Sequence, residues 1–262
     1  MDNPLGVVSA HLHYESLPEA FQKARRSGLG AIEWFEWGPP VVSEPEQAAE
    51  VVSLGREYDV SASYHAPYDR CSDLGLLSPE EGSRRLGDML VRANRLGARL
   101  MTLHLGTHKP SADRQEALDK TIAAIAENVS LAEQLNVRVC VENFTRCHGD
   151  AALGVETWDF VRLFDALDAS FVGMNLDVGH ANITGNLVEL VARFGARIRN
   201  THLHDTDGKT DGHLPPGQGT VDWDSVFRLL TEVGYEGPLN FEFPEASGAY
   251  PELVARIRSF RA

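Results

Sequence analysis

Eight short runs of β-branched and apolar residues, at 6–10, 31–35, 61–65, 99–105, 137–144, 172–177, 198–204 and 238–243, alternate with helical patterns along the chain. Strands that alternate with helices build a parallel sheet, because each crossover returns the chain to the same end. The helix starts carry their own grammar. Ser43-Glu44-Pro45-Glu46 and Ser78-Pro79-Glu80-Glu81 each read as a Ser N-cap with Glu three residues on, and the second adds Pro at the first helical position. Gly28, Gly97, Gly195 and Gly234 follow helical runs and precede strands, as a left-handed C-cap requires. Helix-to-strand turns are therefore short. The strand-to-helix connections at 66–78, 106–110, 145–156 and 205–221 are longer and rich in His, Asp, Pro and Trp. One plain end and one elaborate end describe an α/β fold of the (β/α)8 TIM barrel kind, expected as a single domain over residues 1–262, with its chemistry at the C-terminal ends of the strands. The competing architecture, a doubly wound open sheet, is disfavoured: no strand is followed by a GxGxxG or P-loop glycine pattern, and no linker splits the chain.

A formal net charge of -14 argues against binding nucleic acid through a broad basic face, while leaving room for a local groove or for a metal that supplies positive charge itself. Cys71, Cys140 and Cys147 form no CxxC pair, so neither a disulfide framework nor a thiolate zinc site is indicated, and a reducing cytoplasm is expected. The N-terminal residues lack a signal-peptide pattern, and no run approaches the roughly 20 apolar residues of a membrane span. A soluble, unexported protein is expected.

Side chains alternate along a strand, so residues of one parity share a face. His65, His104, Glu142, Asp177, His202 and Glu242 each stand at or near the end of their own run. Two positions earlier lie Ser63, Thr102, Cys140, Asn175, Asn200 and Asn240, mostly small or polar, whereas the opposite parity holds residues such as Tyr64, Met101, Met174, Leu203 and Phe241. If the apolar parity packs on the helices, the ionisable residues converge on the barrel axis where a substrate enters. Glu142, Asp177, His202 and Glu242 form a mainly hard oxygen set suited to Mn²⁺, Mg²⁺ or Co²⁺, with Zn²⁺ also accommodated. The segment 198–224 concentrates His202, His204, Asp205, Asp207, Asp211 and His213. Adding His65, His104, His180, Asp211 and His213 gives enough ligands for two or three ions and a better match to Zn²⁺.

VENF at Glu142, NLDVGHAN at Asp177 and His180, THLHD at His202, DGHLPPGQGTVDW after it and LNFEF at Glu242 resemble the xylose isomerase-like TIM barrel superfamily. That superfamily includes sugar and sugar-phosphate isomerases and epimerases, inosose dehydratases and endonuclease IV-type (family 2) apurinic endonucleases. The resemblance implies one divalent ion on Glu142, Asp177, His202 and Glu242, with the two glutamates moving a substrate proton through a metal-stabilised enediolate. The acidic residue three positions on, Asp205, selects His202 over His204. The endonuclease branch implies further ligands at His65, His104, His180, Asp211 and His213, all present here. Gly212, however, stands where that branch has Arg, and no basic, aromatic-interleaved loop reads as a DNA clamp.

The function expected is therefore a metal-dependent isomerase or epimerase of a small sugar, sugar phosphate or other polyhydroxylated carbonyl compound. The alternatives are a zinc phosphodiesterase of the endonuclease IV type, a keto-sugar or cyclitol dehydratase on the same site, and a non-catalytic ligand-binding barrel. Substrate-pocket candidates are Glu33, Trp34 and Trp37 after the second strand, with His11 and His13 after the first; the tryptophans fit a helix–barrel seam equally well. His180 and His204 are candidates for substrate hydroxyls. Arg70, Lys109, Arg146 and Lys209 are candidates for a substrate phosphate. Homo-oligomers, frequent in the resembled family, are a further expectation.

Overall fold

The first strand, β1 (Leu5–Val8), pairs in parallel with both β2 (Ala31–Phe35) and β8 (Leu239–Phe241), so the sheet closes on itself. Gly6 sits opposite Ala31 on one side and Asn240 on the other. Between them run β3 (Ser61–His65), β4 (Leu100–His104), β5 (Arg138–Glu142), β6 (Val172–Asp177) and β7 (Ile198–Leu203) in sequence order, every pair parallel. This computed structural model describes residues 3–36, 42–167, 170–245 and 250–259. The closed barrel excludes the open doubly wound sheet. Around it lie α1 (Leu17–Arg26), α2 (Pro45–Tyr58), α3 (Pro79–Arg95), α4 (Arg114–Leu135), α5 (Thr157–Ala166), α6 (Val178–Thr184), α7 (Leu187–Phe194), α8 (Trp223–Glu232) and α9 (Tyr250–Ser259). Among the described residues no helix is long and apolar enough to cross a membrane.

The expected boundaries at 31–35, 61–65 and 172–177 hold, whereas the other strands end earlier than their apolar runs. At the C-terminal ends Asn143 and His204 turn their side chains to Asp177 in the barrel mouth. Ser78 caps α3 as expected, accepting from Glu81 N at 3.3 Å. Ser43 does not cap α2, whose N-cap is Glu44. It is buried instead, donating to the Glu36 carboxylate and accepting from Arg92 at 3.3 Å. Gly28, Gly97 and Gly234 take the left-handed conformation at φ 77, 71 and 65°, but Gly195 stays helical at φ -50° and opens a 3-10 turn. Asp59 and Asn136, at φ 51 and 53°, end α2 and α4 in the left-handed conformation without a glycine.

The apolar parity packs outward against the helices: Tyr64, Met101, Val139, Val141, Met174, Leu176, Leu203 and Phe241 are all buried there. Trp34 belongs to this set and corrects its expectation as a pocket residue. It is fully buried, edge-on to Tyr14 at 6.2 Å and 5.6 Å from Phe21, so it fills the seam between the barrel and α1. Burying such a ring contributes roughly 2–3 kcal/mol. The other parity fills the barrel axis with Ser63, Thr102, Asn175, Asn200 and Asn240, buried polar side chains that must satisfy one another. Gly6 is glycine because Asn240 occupies that axis: a Cβ there would stand 2.1 Å from Asn240 Oδ1.

Candidate metal centre

His202, carried by β7, is fully buried in the barrel mouth with both ring nitrogens engaged. Its Nε2 points down the axis to Glu33 Oε1 at 2.8 Å. Its Nδ1 points outward and lies 2.9 Å from Glu142 Oε1, 3.1 Å from Glu242 Oε2 and 3.8 Å from Asp177 Oδ2. The four expected ligands therefore meet at one place. For metal–ligand bonds of about 2.1 Å, neighbouring ligands at right angles stand about 3 Å apart, close to the 2.9 and 3.1 Å at which Glu142 and Glu242 stand from Nδ1, with Asp177 farther out at 3.8 Å. One imidazole N–H cannot serve three carboxylates, and among the described residues Glu142 Oε2 and Glu242 Oε2 are buried without a hydrogen-bond donor. A divalent cation fits that donor set. Asn143 keeps the strand ends in register: its Nδ2 donates to Asp177 O at 2.9 Å and its Oδ1 accepts from Asp177 N at 2.8 Å.

The additional candidates gather in the same mouth. His104 Nε2 approaches Glu142 Oε2 to 2.9 Å, outside hydrogen-bond geometry, and His65 Nε2 reaches it at 3.5 Å. His180 Nε2 and His213 Nε2 stand 3.3 and 3.4 Å from Asp211 Oδ2. Three of these rings share a device. His65, His180 and His213 each set Nδ1 on a backbone carbonyl, of Ala66, Asn143 and Glu242, at 2.9, 3.0 and 2.6 Å. A carbonyl that accepts the Nδ1–H leaves the lone pair of the neutral ring on Nε2, the tautomer of a metal ligand. His204 turns towards Asp177, with Nε2 3.1 Å from Oδ1, and packs against the backbone of α6. A Cβ on Gly179 would meet its ring at 2.0 Å.

The electrostatics follow from this crowding. Burial works against charge on His180, yet Asp177, Asp211 and Glu142 outweigh it and raise the imidazole to about 10. Burial likewise opposes charge on His213, and Asp211 and Glu242 raise it to about 9. His202 is lifted well above its usual range by Glu242, Glu142 and Glu33 in spite of complete burial. Glu142 and Glu242 are held well below the carboxylate range, burial being outweighed by the imidazoles, His202 first among them. Positive charge in the mouth thus sits on imidazole protons, which a bound cation displaces.

The pocket candidates divide. Glu33 is not a wall residue: it lies fully buried beneath His202. His13 is exposed, and its carbonyl accepts from Lys23 Nζ, because β1 ends at Val8 and a 3-10 turn follows. His11 enters the wall instead, stacked on His213 at 4.8 Å, with burial lowering its imidazole to about 4. Trp37 lies outside the described residues. The cavity over the centre measures about 490 Å³, with Phe35, Tyr68 and Phe144 as its aromatic walls. Tyr68, absent from the sequence-based candidates, stacks on His104 at 4.5 Å. Arg70, Lys109, Arg146 and Lys209 are exposed, and none of the described lining residues is a lysine or arginine. A larger cavity of about 840 Å³ opens at the opposite end of the barrel among Arg25, Arg56 and Arg99, with no imidazole and one carboxylate, Asp59. The clustered imidazoles and carboxylates line the smaller cavity.

A closed parallel barrel with buried imidazoles and carboxylates converging at its C-terminal mouth defines a metal-competent TIM barrel. Residues 21–260 match the family described as xylose isomerase-like TIM barrel, and the chain belongs to that family. It is 29% identical over 252 residues to the uncharacterized protein MJ1311 of Methanocaldococcus jannaschii, spanning 92% of this chain and 84% of that one. It is 24% identical over 266 residues to the ketose 3-epimerase of Arthrobacter globiformis, spanning 97% of this chain and 87% of that one. Among solved structures, a D-tagatose 3-epimerase-like protein superposes with a TM-score of 0.86 at 24% identity, covering 98% of this chain and 97% of that one.

Proposed function

We propose that the chain is a divalent-metal-dependent epimerase or isomerase of a small ketose or related polyhydroxylated carbonyl compound. One observation carries the reading: Glu142, Glu242 and Asp177 bring carboxylate oxygens to 2.9, 3.1 and 3.8 Å from His202 Nδ1, and Glu142 and Glu242 also line the cavity. The similarity to a ketose 3-epimerase supports the substrate class. These four residues would hold Mn²⁺, Co²⁺, Mg²⁺ or Zn²⁺, which supplies the Lewis acidity that polarises a substrate carbonyl and acidifies the C–H beside it. Glu142 and Glu242 then act as base and acid in turn: one removes the proton from the carbon α to the carbonyl, and the other delivers a proton to the opposite face. Phe35, Tyr68 and Phe144 exclude water around the sugar's carbon faces, and His11 and His180 offer hydrogen bonds to its hydroxyls. The cavity volume lies within the roughly 300–1,000 Å³ of small-molecule sites. The lining favours an unphosphorylated substrate, since among the described residues it contains no lysine or arginine. Three unpaired cysteines support a reducing cytoplasm.

The test is deuterium incorporation from D₂O into a ketose panel, read by NMR. Mn²⁺-loaded protein exchanges the hydrogen on the carbon next to the carbonyl, and Glu142→Gln or Glu242→Gln slows exchange by about 10²–10⁴-fold. A wild type that eliminates water instead of returning the proton is a dehydratase. One that exchanges nothing yet cleaves an abasic-site duplex contradicts the proposal. That second reading, a multinuclear zinc phosphodiesterase, is favoured by the carbonyl-locked Nε2 atoms of His65, His180 and His213.

A further inference from the structure

Glu33 is fully buried on the barrel axis, one layer below the centre, and collects donors from four other strands. Its Oε1 accepts from His202 Nε2 and Thr102 Oγ1, both at 2.8 Å. Its Oε2 accepts from Asn200 Nδ2 at 2.6 Å, Asn240 Nδ2 at 3.1 Å and Ser63 Oγ at 3.2 Å. A carboxylate offers about four lone-pair sites, so five donors leave none for an ion. Glu33 is therefore unsuited to be a ligand, although it lies within reach of His65 and His202. The donors are themselves tied together: Asn240 Nδ2 also reaches Asn200 Oδ1 at 2.9 Å, and Asn200 Nδ2 reaches Thr102 Oγ1 at 3.1 Å. The carboxylate is thus fixed in direction as well as place, and it faces the nitrogen of His202 that points away from Glu142, Asp177 and Glu242. His65, stacked on His202 at 5.6 Å and 16°, restrains rotation of the same ring.

We infer that Glu33 is the positioning residue of the metal centre, accepting the Nε2–H of His202 and thereby presenting Nδ1 as the ligating nitrogen. The inference rests on the reading of His202 as a ligand. Fixing the tautomer also raises the basicity of Nδ1, and outer partners of this kind change metal affinity by about 10–100-fold.

Two measurements on the full chain test it. In ¹⁵N-histidine-labelled, Zn²⁺-loaded wild type, His202 shows a proton on Nε2 and a metal-shifted Nδ1. In Glu33→Gln, Mn²⁺ binds about 10–100-fold more weakly, although glutamine fills the same volume; a residue that only fills space leaves the affinity unchanged. Unchanged affinity in folded Glu33→Gln, or a spectrum with Nε2 coordinated, overturns the inference while leaving the ion site standing. If Glu33→Gln does not fold, the wild-type spectrum decides alone. If wild type and His202→Ala bind Mn²⁺ equally, or neither binds it, His202 is not a ligand, and both the inference and the reading beneath it fall.

Discussion

Nδ1 of His65, His180 and His213 rests on main-chain carbonyls, so the barrel backbone fixes how these side chains present themselves to the mouth. Raised folded pKa values have a definite sign in stability. A histidine with an unfolded value near 6.5 stabilises the fold fully below that pH and loses the contribution as pH climbs through its folded value. With His180 raised to about 10 and His213 to about 9, chelator-treated protein loses thermal stability between roughly pH 7 and 10. Melting curves with and without Mn²⁺ check this, because a bound cation takes over from the protons and flattens the dependence. At this scale the sequence was informative where a residue ended a strand: parity brought His65, His104, Glu142, Asp177, His202 and Glu242 to one mouth. It was silent where contacts cross the barrel. Nothing in the spacing of Glu33 from Asn200 and Asn240 shows that they share one carboxylate, because β2, β7 and β8 meet on the axis only after closure. His13 was misplaced for a related reason, since alternation lapses once the chain turns into residues 9–11.

The loop between β7 and α8 carries Asp211 and His213 over the mouth, and Asp205 holds it there. Its fully buried carboxylate accepts from Thr206 N, Gly217 N, Val221 N and Trp223 Nε1 at 2.9, 2.8, 3.0 and 3.0 Å. Gly219 passes so close that a Cβ would stand 2.1 Å from Thr206 O. Asp205→Ala leaves two or more of these donors unsatisfied and is expected to cost about 2–6 kcal/mol or more in denaturant unfolding, at roughly 1–3 kcal/mol per unsatisfied buried group. Helix and strand grammar was legible at this level because it is local: Ser78 and the glycines at 28, 97 and 234 behave as their neighbours dictate. Ser43 departs from the same grammar because distant partners intervene, and Gly195 is glycine for close packing and not for a left-handed cap. Glu36 and Arg92 draw the Ser43 hydroxyl away from α2, and Val233 packs where a Cβ on Gly195 would lie, 2.5 Å from Val233 Cγ1.

At the level of the whole molecule, a chain of net charge -14 buries several carboxylates in one cavity, which is stable only with compensating positive charge. Imidazolium protons or metal ions supply it, and the chemistry depends on which. The barrel explains why these groups gather at one end: every strand runs the same way, so every strand end opens on the same cavity. The arginine-lined cavity at the other end received none of them. The most direct measurement is metal content per chain, by plasma mass spectrometry on protein purified without added metal or chelator. About one Mn, Co or Mg per chain, lost in His202→Ala, is the result expected of a proton-transfer site built on Glu142, Asp177, His202 and Glu242. Two or three zincs per chain would contradict it and assign His65, His104, His180, Asp211 and His213 to a multinuclear hydrolytic centre.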